Sequence, residues 1–126
     1  MTERSELAEA TAQRLFGVGL GTPPAGADQP GAAVRQVFAE HAYADSWTRT
    51  ALDDRSRSLI TIAMLAALSL QRELRPHLHG ALTLGVTPEQ IADVCVHVGV
   101  YAGVPRGSEA WSIAEEVISS RTTRWG

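Results

Sequence analysis

The chain has 126 residues, 44% of them hydrophobic and 20% charged, with a formal net charge of −3, which is room for one domain around one core. An acidic balance with no basic stripe argues against general nucleic-acid binding, because nothing is present to displace phosphate counterions. The single cysteine, Cys95, excludes an internal disulfide framework and a zinc site built on several thiolates.

The longest apolar run, Leu59–Leu70, contains Thr61 and Ser69 and falls short of the ~18 residues that a membrane span requires. Met1–Glu9 carries Glu3, Arg4, Glu6 and Glu9 and has no apolar stretch of the kind a secretory leader needs. The expectation is a soluble, cytoplasmic single domain over 1–126. It comprises an N-terminal helix and loop (1–31) and a helical core (32–120), with neither membrane nor nucleic acid as partner.

Nearly every local signal is helical. Thr2–Phe16 spaces Leu7, Ala10, Arg14 and Leu15 as a solvated helix with one weak apolar stripe. Gly17–Gly31 holds five glycines and three prolines; a loop of this length in a compact domain is either functional or a connector. Ala32–Ala42 resumes helical spacing through Val34, Val37, Phe38 and His41, and a turn is expected around Asp45-Ser46-Trp47. Asp53 or Asp54 suits the cap of the next helix, which should run to about Leu70. Apolar on almost every face after Leu59, that helix reads as central and buried.

Arg72–Leu84 follows as an amphipathic helix, with Gly85 placed for a left-handed C-terminal residue. Thr87-Pro88-Glu89-Gln90 is a helix start: Thr87 as N-cap, Pro88 where no donor is needed, and Gln90 completing a capping box. The alternating, β-branched stretch Val94–Tyr101 would read as a strand in isolation. The capping box, the length to Gly103 and the lack of a partner strand favour a helix instead. Gly103-Val104-Pro105 should end it, and Ser108–Ser119 forms the last helix, with Trp111, Ala114, Val117 and Ile118 on one face. The fold class is all-α, with six or seven helices. The helices Asp54–Leu70 and Thr87–Ala102 are too apolar for so few neighbours to cover, which predicts a homo-oligomer.

The chemistry-bearing candidates lie in the second half. Glu73 and His77 are four residues apart and share one helical face, as an acid/base pair would, or as an ordinary surface pair does. His97 sits in an apolar run, where an imidazole must find a partner. It is either a core histidine bonded to a carbonyl or a third titratable group opposite Glu73 and His77 across two packed helices. These three would also suit two histidines and one carboxylate on a metal, but nothing in the spacing demands one, and no metal is expected. His79 points away from the pair. Trp47 is either core or a pocket wall, and Arg57 either pairs with Asp53 or Asp54 or receives an anionic substrate. Arg72, Arg75 and Arg106 are candidates for carboxylate recognition or are simply solvated. Cys95 reads as an inert packing residue.

Several stretches together carry a resemblance. They are Trp47-Thr48-Arg49, Arg57-Ser58-Leu59-Ile60-Thr61-Ile62-Ala63, Glu73-Leu74-Arg75-Pro76-His77-Leu78-His79-Gly80-Ala81-Leu82 with Gly85-Val86-Thr87, and His97 with Tyr101-Ala102-Gly103-Val104-Pro105. In this order, from about Ala33 to Ile118, the chain resembles the decarboxylase branch of the carboxymuconolactone decarboxylase family. The resemblance implies an AhpD-like (alkyl hydroperoxide reductase D-like) helical bundle, no cofactor, and a homotrimer or homohexamer. It carries Glu73 and His77 over as catalytic residues, with His97 beside them. The peroxidase branch has a Cys-x-x-Cys pair where this chain has Leu70 and Glu73, so thiol peroxidase chemistry is excluded. Departures occur at His79, at Thr83-Leu84 and at Arg106-Gly107-Ser108, where the family commonly has arginine, Asn-Asn and Ala-Ala-Asn; these leave the substrate open.

The implied reaction is decarboxylation of a carboxylated unsaturated lactone through a dienolate. His77 would be the principal acid/base, Glu73 its orienting carboxylate or the proton carrier, and His97 the group at the dienolate oxygen. Trp47, Arg57, His79, Tyr101 and Arg106 are the expected substrate contacts. Two alternatives stand beside it: a cofactor-free isomerase or cyclase acting on a lactone or polyketide-like intermediate, and a non-catalytic ligand-binding oligomer.

Overall fold

A computed structural model describes residues 2–19 and 30–125. The described residues form six α-helices and one π-helical segment, with no strand among them. The chain divides into two compact units, Met1–Asp53 and Asp54–Gly126.

In the first unit, α1 (Glu3–Phe16) starts at Thr2, whose hydroxyl accepts from the Ser5 N–H, and ends at Gly17 in a left-handed conformation, φ 76°. α2 (Pro30–Ala39) runs directly into the π-helical segment Glu40–Ser46. The turn expected at Asp45-Ser46-Trp47 therefore begins only at Trp47, because Asp45 and Ser46 are still helical. Of the anticipated Gly17–Gly31 loop, residues 20–29 lie outside the described residues, and Pro30 and Gly31 already belong to α2.

The unit is held by a polar hub. The Glu40 carboxylate is largely buried and accepts from Ser5 Oγ at 2.8 Å, Gln36 Nε2 at 3.2 Å and Thr2 Oγ1 at 3.3 Å, with Arg4 Nη1 at 3.4 Å. The Ser5 hydrogen bond leads the effects that hold this carboxyl below the usual carboxylate range. The Phe16 and Tyr43 rings meet edge to face, centroids 5.7 Å apart.

The second unit contains α3 (Asp54–Ala67), α4 (Gln71–Thr83), α5 (Pro88–Ala102) and α6 (Val104–Trp125). Its core joins Ile62 and Ala66 of α3, Leu74, Leu78 and Ala81 of α4, Ile91, Cys95 and Val98 of α5, and Ala110, Ile113, Ala114 and Val117 of α6. α3 and α6 pack on each other, and α4 and α5 each pack on both of them rather than on one another. α4 and α5 thus flank the α3–α6 pair from opposite sides.

The termini follow from local chemistry. The capping box at Thr87 and Gln90 is complete, and α5 is helical throughout its β-branched run. Gly85 is left-handed at φ 92°, and Arg55 Nε reaches the Leu84 carbonyl at 2.8 Å. α3 ends at Ala67 rather than at Leu70, because Ser69 takes a left-handed turn at φ 56°. That conformation costs an L-residue about 1–2 kcal/mol. The chain breaks at Gly103 alone, φ 112°, and α6 starts at once with Val104, so Pro105 opens a helix instead of closing one. Proline is tolerated there because first-turn N–H groups have no helical acceptor.

α3 differs most from expectation. It buries Ser58, Ile62 and Ala66, but the stripe Ile60, Met64 and Leu68 along and just beyond it is 45–64% exposed. Beyond Leu59 the helix is apolar on almost every face, and such a stretch carries no hydropathy signal for which face turns inward. No described helix is long and apolar enough to cross a membrane.

Candidate active site

α4 presents the candidate pair, Glu73 and His77. Glu73 lies in the first turn of α4, where the positive end of the helix dipole favours a carboxylate. His77 follows one turn later, and Pro76 between them removes a helical N–H donor from the backbone. Glu73 is exposed and His77 is half-buried. Burial pushes the His77 imidazole below its ordinary pKa, while the neighbouring Glu73 carboxylate works in the opposite direction. At neutral pH His77 is therefore a neutral imidazole beside a carboxylate, able to donate from one nitrogen and accept at the other.

The backbone carbonyl of His79 meets α6, where Arg121 Nη1 donates to it at 3.4 Å. Desolvation first, then Arg121 and Arg75, hold the His79 pKa down. Arg75 itself is bound by Glu116 at 2.5 Å.

His97 is not a core histidine. It is exposed on α5 and stacks at a tilt of 41° on Tyr101, ring centroids 4.7 Å apart. Tyr101 is 80% exposed. α4 and α5 have at most a marginal contact with each other, so His97 is not set opposite Glu73 and His77 by a packed α4–α5 pair. Glu73 and His77 stand together on one flank, and His97 and Tyr101 on the other.

The remaining candidates belong to several elements. Trp47 is buried, 7% exposed, in the first unit, and Arg57 is half-buried on α3. Arg106 is exposed, and its guanidinium donates to the Ala67 carbonyl, closing the C-terminal end of α3. Arg72 is exposed. Cys95 is buried, and burial pushes its thiol up to about 11, as befits a packing residue. Among the described residues no group of three or more His, Cys, Asp or Glu is placed to hold a metal ion.

One feature was not anticipated from sequence. An open groove of about 490 Å³ runs between α5 and α6, lined by Ala92, Cys95, Val96, Gly99, Val100, Val104, Gly107, Ser108 and Trp111. Its floor exists because Gly107 lets the two helices approach closely: a Cβ there would lie 2.6 Å from the Cys95 carbonyl oxygen and 2.9 Å from Gly99 Cα. The available signal was Gly99 inside an otherwise apolar helical run.

The profile of the carboxymuconolactone decarboxylase family matches residues 32–116, which include every residue discussed in this section except Arg121. A 4-carboxymuconolactone decarboxylase from Acinetobacter baylyi is 41% identical over 83 residues, covering 66% of this chain and 62% of the relative. A nitrosuccinic acid decarboxylase from Metarhizium robertsii is 32% identical over 85 residues, covering 68% of this chain and 59% of the relative. The chain thus spans about three fifths of the length of these two relatives. With more than half of its length matched, and the Glu73–His77 helix inside the match, the chain belongs to the carboxymuconolactone decarboxylase family.

Proposed function

We propose that the protein decarboxylates a small organic acid whose neighbouring group accepts the electron pair, with a carboxylated unsaturated lactone of the 4-carboxymuconolactone type as substrate. The observation that carries this reading is the Glu73–His77 pair: a carboxylate one helical turn from a half-buried imidazole kept neutral by burial. In the reaction the C–C bond to the carboxylate breaks, CO₂ leaves, and the bonding pair delocalises through the double bond onto the lactone carbonyl oxygen as a dienolate. A proton then returns to carbon. The substrate is its own electron sink, so the proposed reaction makes no demand on a cofactor.

Three requirements follow: an apolar surround for the departing carboxylate, a hydrogen bond at the developing oxyanion, and an acid for carbon. His77 is assigned as principal acid/base, Glu73 as its orienting carboxylate or proton carrier, and His97 as the donor to the dienolate oxygen. The same logic embraces a nitro-substituted acid, in which the nitro oxygens take the charge, as the name of the fungal relative suggests. The exposed apolar stripes on α3 and α5 support work as an assembly of copies.

The deciding experiment incubates the purified protein with synthetic 4-carboxymuconolactone and, separately, nitrosuccinate. Substrate absorbance and released CO₂ are followed together. Stoichiometric CO₂ from either compound supports the reading. Neither compound turning over, with the protein folded and assembled, rejects it for these substrates.

A further inference from the structure

We infer that the acid/base set is composite: Glu73 and His77 come from one copy of the chain and His97 from a second. The inference rests on the functional reading above for the roles of these three residues and goes beyond it in saying where they meet.

Within a chain, α4 and α5 flank the α3–α6 pair from opposite sides, so helix packing does not bring His97 to Glu73. His97 is instead exposed on α5, one helical turn after the exposed Asp93, and the stretch that follows it, 98–105, holds no charged or titratable residue but Tyr101. Around it Val96, Val100, Tyr101 and Val104 are each 65–80% exposed. A second apolar set, Ile60, Met64, Leu68 and Leu70, lies along α3 and the turn after it, is 44–64% exposed, and leads directly in sequence into the α4 turn that carries Glu73.

The two sets fit each other in a reciprocal contact, in which α5 of each copy lies over the α3–α4 edge of the other. These eight residues are 44–80% exposed, and burying them in both directions approaches the size of a standard stable interface, about 800 Å² per partner. A two-fold contact of this kind is self-complementary and creates two equivalent sites. It covers surface that a monomer would leave in water and delivers His97 into the same apolar enclosure as the Glu73–His77 pair. The second copy, rather than an unrelated protein, is the occupant because the chain itself carries both surfaces.

The test is complementation between inactive copies. Glu73→Gln and His97→Asn are each expected to lose turnover of 4-carboxymuconolactone. Co-expressed or dissociated and reassembled in equal amounts, they recover about one quarter of wild-type turnover, since half of the sites draw an intact Glu73, and half of those an intact His97 from the neighbour. Two inactive variants that stay inactive when mixed, in assemblies of wild-type mass, place all three residues in one chain and overturn the inference. Undiminished turnover in His97→Asn alone overturns it together with the role given to His97.

A second arm is independent of activity. One chain carries Glu73→Cys and another His97→Cys, and a short bifunctional maleimide is added. A covalent pair that forms in the mixture, and in neither variant alone, supports the composite site. No pair from an intact assembly refutes it, even if the lactone proves not to be the substrate.

Discussion

α4 and α5 are of similar length and flank the same two helices, yet they treat His77 and His97 oppositely. α4 half-buries His77 beside Glu73 and surrounds the pair with charged groups that have their own partners, such as Arg75 with Glu116. α5 exposes His97 on Tyr101 amid valines, with the exposed Asp93 one helical turn before it. The difference teaches that a titratable group can be set for chemistry in two ways. It can be desolvated by its own chain, or it can be mounted on an apolar face that desolvates it only when something covers that face.

The comparison is broken most severely on the α4 side. Glu73→Gln and His77→Ala should each lower turnover by about 10²–10⁴-fold, with circular dichroism and assembly mass unchanged. Unaltered rates in both variants would show that the pair is only a surface contact. On the α5 side the vulnerable feature is packing. Gly107→Ala forces a Cβ against the Cys95 carbonyl and Gly99 and should lower stability by about 1–3 kcal/mol, read from the urea midpoint. A midpoint equal to wild type would mean that α6 shifts freely and that the groove is not a fixed element.

Thr87→Ala removes one hydrogen bond of the α5 capping box and should cost about 1 kcal/mol, measured in the same way. A loss no larger than that of a neutral surface substitution such as Glu89→Gln would assign α5 its helix through packing alone.

The smallest effect sharpens the α4 half. Burial lowers the folded-state pKa of His77 below the usual 6.5, so just below pH 6.5 the unfolded chain binds more protons than the folded one. Stability therefore rises with pH through that window and its His77 contribution is complete above it. In His77→Gln this part of the slope should vanish. An identical pH–stability curve in the variant would place the desolvated group elsewhere.

Much of the local structure is legible without coordinates. The helical reading of the β-branched stretch 94–101 followed from Thr87-Pro88-Glu89-Gln90 ahead of it, and the structure shows that box complete. Gly85 and Gly103 marked helix ends, and both have the positive φ that makes glycine the favoured residue there. The Glu73–His77 pair was readable because four residues along a helix is one turn. Less was visible where helices are apolar all round. α3 gave no sign that Ile60 and Met64 would face outward, and the run around His97 looked like core when one side of it is surface. Arg106, a candidate for holding substrate, is engaged by the end of α3 at Ala67, thirty-nine residues away in sequence.

What the chain determined by itself is therefore what depends on neighbours within about one helical turn: helix class, caps, breaks and the company of Glu73 with His77. Only the tertiary structure decided which apolar faces meet, that α4 and α5 take opposite flanks of α3 and α6, and that His97 stands in the open. The physical reason is range. Backbone hydrogen bonds and caps are settled over three or four residues, whereas burial is a competition among all apolar surfaces at once, and where several faces are equally greasy their shapes choose the winner.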